Sequence, residues 1–129
     1  MNLRSVYHGD IPDFLTACAE APAMQRLRGI GMSCGCEYTS LPRFRNAGGN
    51  SRYAHSMGVA LIVWYFTRDP AQALSGLFHD IASPVFAHVI DFLKGDSLHQ
   101  EATEAGTAAA ITQSPEICAV LNKLGLTVE

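Results

Sequence analysis

The sequence predicts an all-α domain, and three observations predict it. Helix-opening pairs recur in which a capping residue is followed by proline: Asp69-Pro70, Ser83-Pro84 and Ser114-Pro115. Glycine stands where helices should stop, at Gly95 and Gly125. The Gly- and Pro-containing irregular sequence is concentrated in one stretch, from position 31 to 50.

Taken in order, Pro12 to Glu20 and Pro22 to Arg28 read as two short helices. "GMSCGCEYTSLPRFRNAGGN" follows as a loop with room for a short β-hairpin. "SRYAHSMGVALIVWYF" is a long helix, apolar enough to be buried on most sides. Asp69-Pro70 opens "AQALSGLFHDIA", and Ser83-Pro84 opens "VFAHVIDFLK", closed by Gly95. Ser97 and Gln100 form a capping box for "LHQEATEAGTAAAITQ". Ser114-Pro115 opens "EICAVLNKL", which ends at Gly125. The result is a bundle of about six helices.

At 129 residues the chain is expected to be a single domain, 1–129, able to bury a core. An apolar share of 48% and a charged share of 16% suit a globular chain rather than a disordered one. A net charge of −3 gives no global pull toward duplex nucleic acid or an anionic membrane, and neither partner is expected. All seven arginines lie at or before Arg68, five of them between Arg26 and Arg52, a local anion-attracting segment. Cys18, Cys34, Cys36 and Cys118 match neither a disulfide scaffold nor a zinc knuckle and read as reduced thiols of a cytoplasmic protein. The N-terminus lacks the pattern of a signal peptide, and the longest apolar stretch, Val59 to Phe66, is too short to span a bilayer.

The chemistry-bearing residues cluster. His55, His79, His88 and His99 each fall near a predicted helix end, where side chains of different helices converge. His79 and Asp80 are neighbours, and helical neighbours diverge by about 100°, so both reach one point only by straddling it. With His55 they form a set of two imidazoles and a carboxylate. That set suits one divalent transition metal (Mn, Fe, Co, Ni or Zn) better than Mg, which prefers oxygen ligands. Each residue alone has an ordinary reading: surface histidines, a solvated Asp91, a surface Arg52. Their joint occurrence carries the functional one.

"RYAHSMGVA", "LFHDIASPVFAHVIDFL" and "HQEAT" together resemble the HD superfamily of metal-dependent phosphohydrolases, closest to its deoxynucleoside triphosphate triphosphohydrolase branch. "APAMQRLRGIG" and "EYTSLP" extend the resemblance upstream, so that it runs from about Pro22 to Thr103. The resemblance implies a compact HD-type bundle and a nucleotide or related phosphate ester as substrate. It makes His55, His79 and Asp80 the metal ligands, and it places a substrate phosphate on Arg52 and His88. His99 becomes the catalytic histidine, oriented by Asp91. Gln25-Arg26-Leu27-Arg28 would be structural, packing the N-terminal helices under the site. Relatives in that branch often form multimers, so a homo-oligomer is compatible, although no dedicated interface is legible.

Two departures stand out. The histidine three residues after the family's His-Asp pair is Ser83 here, whose expected task is to cap the next helix. The family also closes its metal site with a later Asp, and none follows Asp96. Either the domain is truncated at its C-terminal end, the favoured expectation, or three protein ligands and water hold the ion. An alternative function follows: a catalytically degenerate HD module that binds a nucleotide or a protein partner for regulation.

Overall fold

A computed structural model describes residues 9–33, 36, 39–46, 49–85 and 101–128, with the backbone alone for 101–105. Among these residues the secondary structure is helical: α1 (Asp13–Ala19), α2 (Pro22–Gln25), α3 (Arg52–Thr67), α4 (Pro70–Phe78), α5 (Glu101–Thr112) and α6 (Pro115–Leu124). Two 3₁₀ turns, Arg26–Gly29 and Pro42–Phe44, complete the set. No described helix is long and apolar enough to cross a membrane. The expected helix after Ser83-Pro84, and the capping box at Ser97 and Gln100, lie outside the described residues.

Local chemistry accounts for the boundaries. The Asp69 carboxylate accepts from the Ala71 amide at 2.8 Å while Pro70 occupies the first helical position, so α4 starts without an orphaned donor there. Ser51 caps α3 by accepting from the Ala54 amide at 3.2 Å. Gly125 ends α6 with φ +67°, a conformation that glycine adopts without a Cβ clash. Arg68 takes the same left-handed region at φ 53° and ends α3, and with Asp69 it is the whole connection to α4. At Ser114 the backbone opens α6, but the hydroxyl donates to the Glu116 carboxylate at 2.9 Å rather than capping the helix.

The short connection forces α3 and α4 to lie antiparallel. Val59 and Val63 of α3 face Gly76 of α4, and His55 near the start of α3 meets His79 at the end of α4. A Cβ built on Gly76 would meet Val59 Cγ1 at 3.3 Å and the Ala60 backbone at 3.5 Å, so glycine permits the close approach of the two axes. The core runs from Leu15 and Cys18 of α1, through Met24 and Leu27, to Met57, Ala60 and Leu61 of α3. Leu74, Leu77 and Phe78 of α4, Ile81, Ile111, and Ile117 and Leu121 of α6 complete it. Leu27 and Leu77 are fully buried, a burial that contributes on the order of 2 kcal/mol for each side chain.

One expectation is refined and one is corrected. Ile62, Tyr65 and Phe66 are 47%, 61% and 78% exposed, so α3, buried or half-buried at most of its positions, leaves one side open. They stand at i, i+3 and i+4, a single stripe on which no described element packs. The described part of the 31–50 loop contains no strand. One isolated antiparallel bridge, Gly31 to Ser51, closes it instead. Met32 N–H donates to Asn50 C=O at 3.1 Å and Arg52 N–H to Ile30 C=O at 2.8 Å. The loop therefore returns to its origin and pins the start of α3 against the Arg26–Gly29 turn.

Candidate metal centre

α4 ends at Phe78, earlier than the sequence reading placed it, and the His-Asp pair sits on the turn that follows. That turn tightens through i→i+3 bonds, from Ile81 N–H to Phe78 C=O at 2.9 Å and from Ser83 N–H to Asp80 C=O at 2.9 Å. Leaving the helical path lets adjacent side chains face one point. His79 Nε2 lies 3.2 Å from His55 Nε2 across a separation of 24 residues, and 3.4 Å from Asp80 Oδ2. One donor atom from each of the three falls within 4.8 Å of the others. Ligand atoms at about 2.1 Å from a tetrahedral ion stand about 3.4 Å apart, so the His55–His79 and His79–Asp80 separations match those of neighbouring ligands on a first-row divalent cation.

Tautomer chemistry strengthens the fit. His79 Nδ1 lies 2.8 Å from Gly76 C=O. A carbonyl only accepts, so Nδ1 carries a proton, and in the neutral tautomer Nε2 is left to coordinate. That nitrogen faces a second imidazole nitrogen and a carboxylate oxygen. A cation held between them would take one lone pair from each. The Nδ1–H to carbonyl bond is the usual device for aiming a metal-ligating imidazole. His55 and His79 are exposed and Asp80 half-buried, so the set opens to solvent on one side.

Asp80 is held from three directions. Ser83, 1% exposed, donates its hydroxyl to Asp80 Oδ1 at 3.2 Å. Arg52, 6% exposed, places Nη1 at 2.7 Å from Oδ2. The backbone beyond is gripped by Arg26, whose guanidinium donates to Ser83 C=O at 2.8 Å and Ile81 C=O at 2.5 Å. Gln25 Nε2 donates to Ala19 C=O at 2.7 Å. Arg28 bonds Gln25 Oε1 at 2.6 Å and stacks over Tyr53 at 3.8 Å. Gln25 to Arg28 thus packs as structure beneath the turn, as the sequence reading placed it. Arg52 Nε and Ser56 Oγ are buried with no hydrogen-bond partner among the described residues.

Of the candidates read from sequence, His55, His79, Asp80 and Arg52 come together here. His88, Asp91 and His99 lie outside the described residues. Missed by sequence reasoning were the Ser83 hydroxyl on Asp80, the Gly76 carbonyl on His79 and the Arg52–Asp80 pair. The spacings i+3 for Ser83 and i−3 for Gly76 were a usable signal on a tight turn; nothing local announces the third. An open cleft of about 560 Å³ adjoins the cluster, with His79 in its wall beside Leu74, Phe78, Thr107, Ile111 and Leu121.

No family model matches the chain, and no curated protein is significantly similar to it.

Proposed function

We propose that this chain is a metal-dependent phosphohydrolase of HD type, acting in the cytoplasm on a nucleotide or related phosphate ester. The observation that carries the reading is the convergence of His55 Nε2, His79 Nε2 and Asp80 Oδ2, at ligand spacing, with one ring aimed by Gly76 C=O. An open-sided set of three protein ligands is the form that catalytic sites take. A cation bound there supplies Lewis-acid polarisation of a phosphoryl oxygen and a nucleophile at neutral pH. Arg52 offers a guanidinium for phosphate beside the ligands. His88 lines the same phosphate, and His99, oriented by Asp91, transfers protons, as the resemblance in sequence implies. The cleft beside His79, lined by both polar and apolar side chains, offers room for the organic part of the ester.

The degenerate-module reading has one observation of its own: Ser83, where the resembled family has a histidine, is buried and bonded to Asp80. Its hydroxyl positions the carboxylate and, unlike an imidazolium, cannot supply a proton as an acid near neutral pH. Phosphate release from a panel of nucleotides with added Mn²⁺, Fe²⁺ or Co²⁺ separates the two. Turnover that disappears in His79→Ala supports the hydrolase. Ligand-induced thermal stabilisation without turnover supports the regulatory module.

A further inference from the structure

We infer that Arg52 is an exchangeable counter-ion of Asp80, so that this site takes up its divalent cation and an oxyanion as a coupled pair. The inference rests on the metal-site reading above. Arg52 Nη1 lies 2.7 Å from Oδ2, the oxygen that also faces His79 Nε2. The guanidinium therefore sits on the cation's own ligand oxygen. Both side chains are largely withdrawn from water, at 7% and 14% exposure, so their charges are poorly screened. A cation entering at about 2.1 Å from Oδ2 meets a fixed positive charge sharing that oxygen, and the two repel. With no anion present, Arg52 weakens cation binding.

An oxyanion reverses the sign of this interaction. Phosphate placed between the guanidinium and the ion is attracted to both and relieves their repulsion. The arginine also has unused capacity: its buried Nε has no acceptor among the described residues, and a buried donor left unmade is costly. A phosphate oxygen is a suitable acceptor for it. Ser56 Oγ, buried and equally unpartnered, stands one helical turn further along the same face. The chain thus holds its cation weakly until an anionic ligand arrives, and the two ligands tighten each other by the same factor.

The test is the Mn²⁺ dissociation constant, read from the free-ion electron paramagnetic resonance signal with and without inorganic phosphate. A protein-free control corrects for solution complexes. In the wild type, phosphate should tighten Mn²⁺ binding about tenfold, within the span usual for coupled sites, and Mn²⁺ should tighten phosphate equally. Arg52→Met should bind Mn²⁺ about tenfold more tightly than wild type without phosphate, and its phosphate dependence should shrink below about twofold. Wild-type Mn²⁺ binding indifferent to phosphate overturns the inference while leaving the metal site standing. Weaker Mn²⁺ binding in a folded Arg52→Met also overturns it, because Arg52 would then only orient Asp80. No Mn²⁺ binding under any condition, with His79→Ala indistinguishable from wild type, removes the metal site and the coupling together. Should Arg52→Met fail to fold, the wild-type comparison alone decides.

Discussion

Arg26→Ala removes the longest-range polar tether under the site, and its cost can be worked from the geometry. The guanidinium makes two bonds, to Ser83 C=O at 2.8 Å and Ile81 C=O at 2.5 Å, joining segments 57 and 55 residues apart. Hydrogen bonds from a charged donor contribute about 1.5–3 kcal/mol each when buried. Arg26 is itself exposed, so water can partly replace it at the carbonyls, and the ordinary net value of about 1 kcal/mol per bond applies. That leaves about 2 kcal/mol for the pair. At an m-value of about 2 kcal/mol/M, the urea midpoint should fall by about 1 M with no change in slope. For a chain of this size the melting temperature should fall by about 6–10 °C. Arg26→Lys should recover about half of the loss, because an ammonium cannot span both carbonyls as the planar fork does. Arg28→Ala is the internal control. Its stack on Tyr53 and bond to Gln25 are exposed and should cost about 0.5–1 kcal/mol. A midpoint shift below about 0.2 M for Arg26→Ala, or a larger one for Arg28→Ala, would refute the reasoning.

Four further outcomes are expected. Asp69→Ala removes the cap on the Ala71 amide and should destabilise by about 1 kcal/mol in urea unfolding, with cation affinity preserved. Gly76→Val places a branched side chain against Val59 and the Ala60 backbone, and overpacking of this kind costs about 1–3 kcal/mol. Because it pushes α3 from α4, it should also weaken Mn²⁺ binding at His55 and His79, which a titration would read. Burial pushes the Cys18 thiol up to about 11 from 9.0, so native protein should leave it unmodified by a thiol reagent at pH 8 while Cys36 and Cys118 react. With its pKa raised on folding, Cys18 contributes stability that is fully present below pH 9.0 and is lost as pH rises toward about 11, which unfolding at stepped pH would show.

Helix type and starting points were legible because their causes are local. The Asp69 and Ser51 side chains accept from amides within three residues, Pro115 has no N–H to satisfy, and Gly125 needs only its own φ. The convergence of His55, His79 and Asp80 was expected for a different reason: imidazoles and a carboxylate at successive helix ends have few other joint uses. What local reasoning could not reach was partner choice. Arg52 is one turn before His55, and its reading as a phosphate ligand ignored Asp80, an acceptor 28 positions away that the α3–α4 hairpin brings to 2.7 Å. Ser83 was read as a cap because Pro84 follows it; the helix it would cap lies outside the described residues, and its buried hydroxyl donates to the carboxylate three residues earlier. The apolar run in α3 suggested burial on most sides, and its composition alone could not show which side stays open, the one carrying Ile62, Tyr65 and Phe66.

The most direct measurement is anomalous diffraction from a crystal of the protein soaked with Mn²⁺ and inorganic phosphate. A single peak within about 2.0–2.3 Å of His55 Nε2, His79 Nε2 and Asp80 Oδ2 is the predicted result. A map with no peak there, and Arg52 still seated on Asp80 Oδ2, would contradict it.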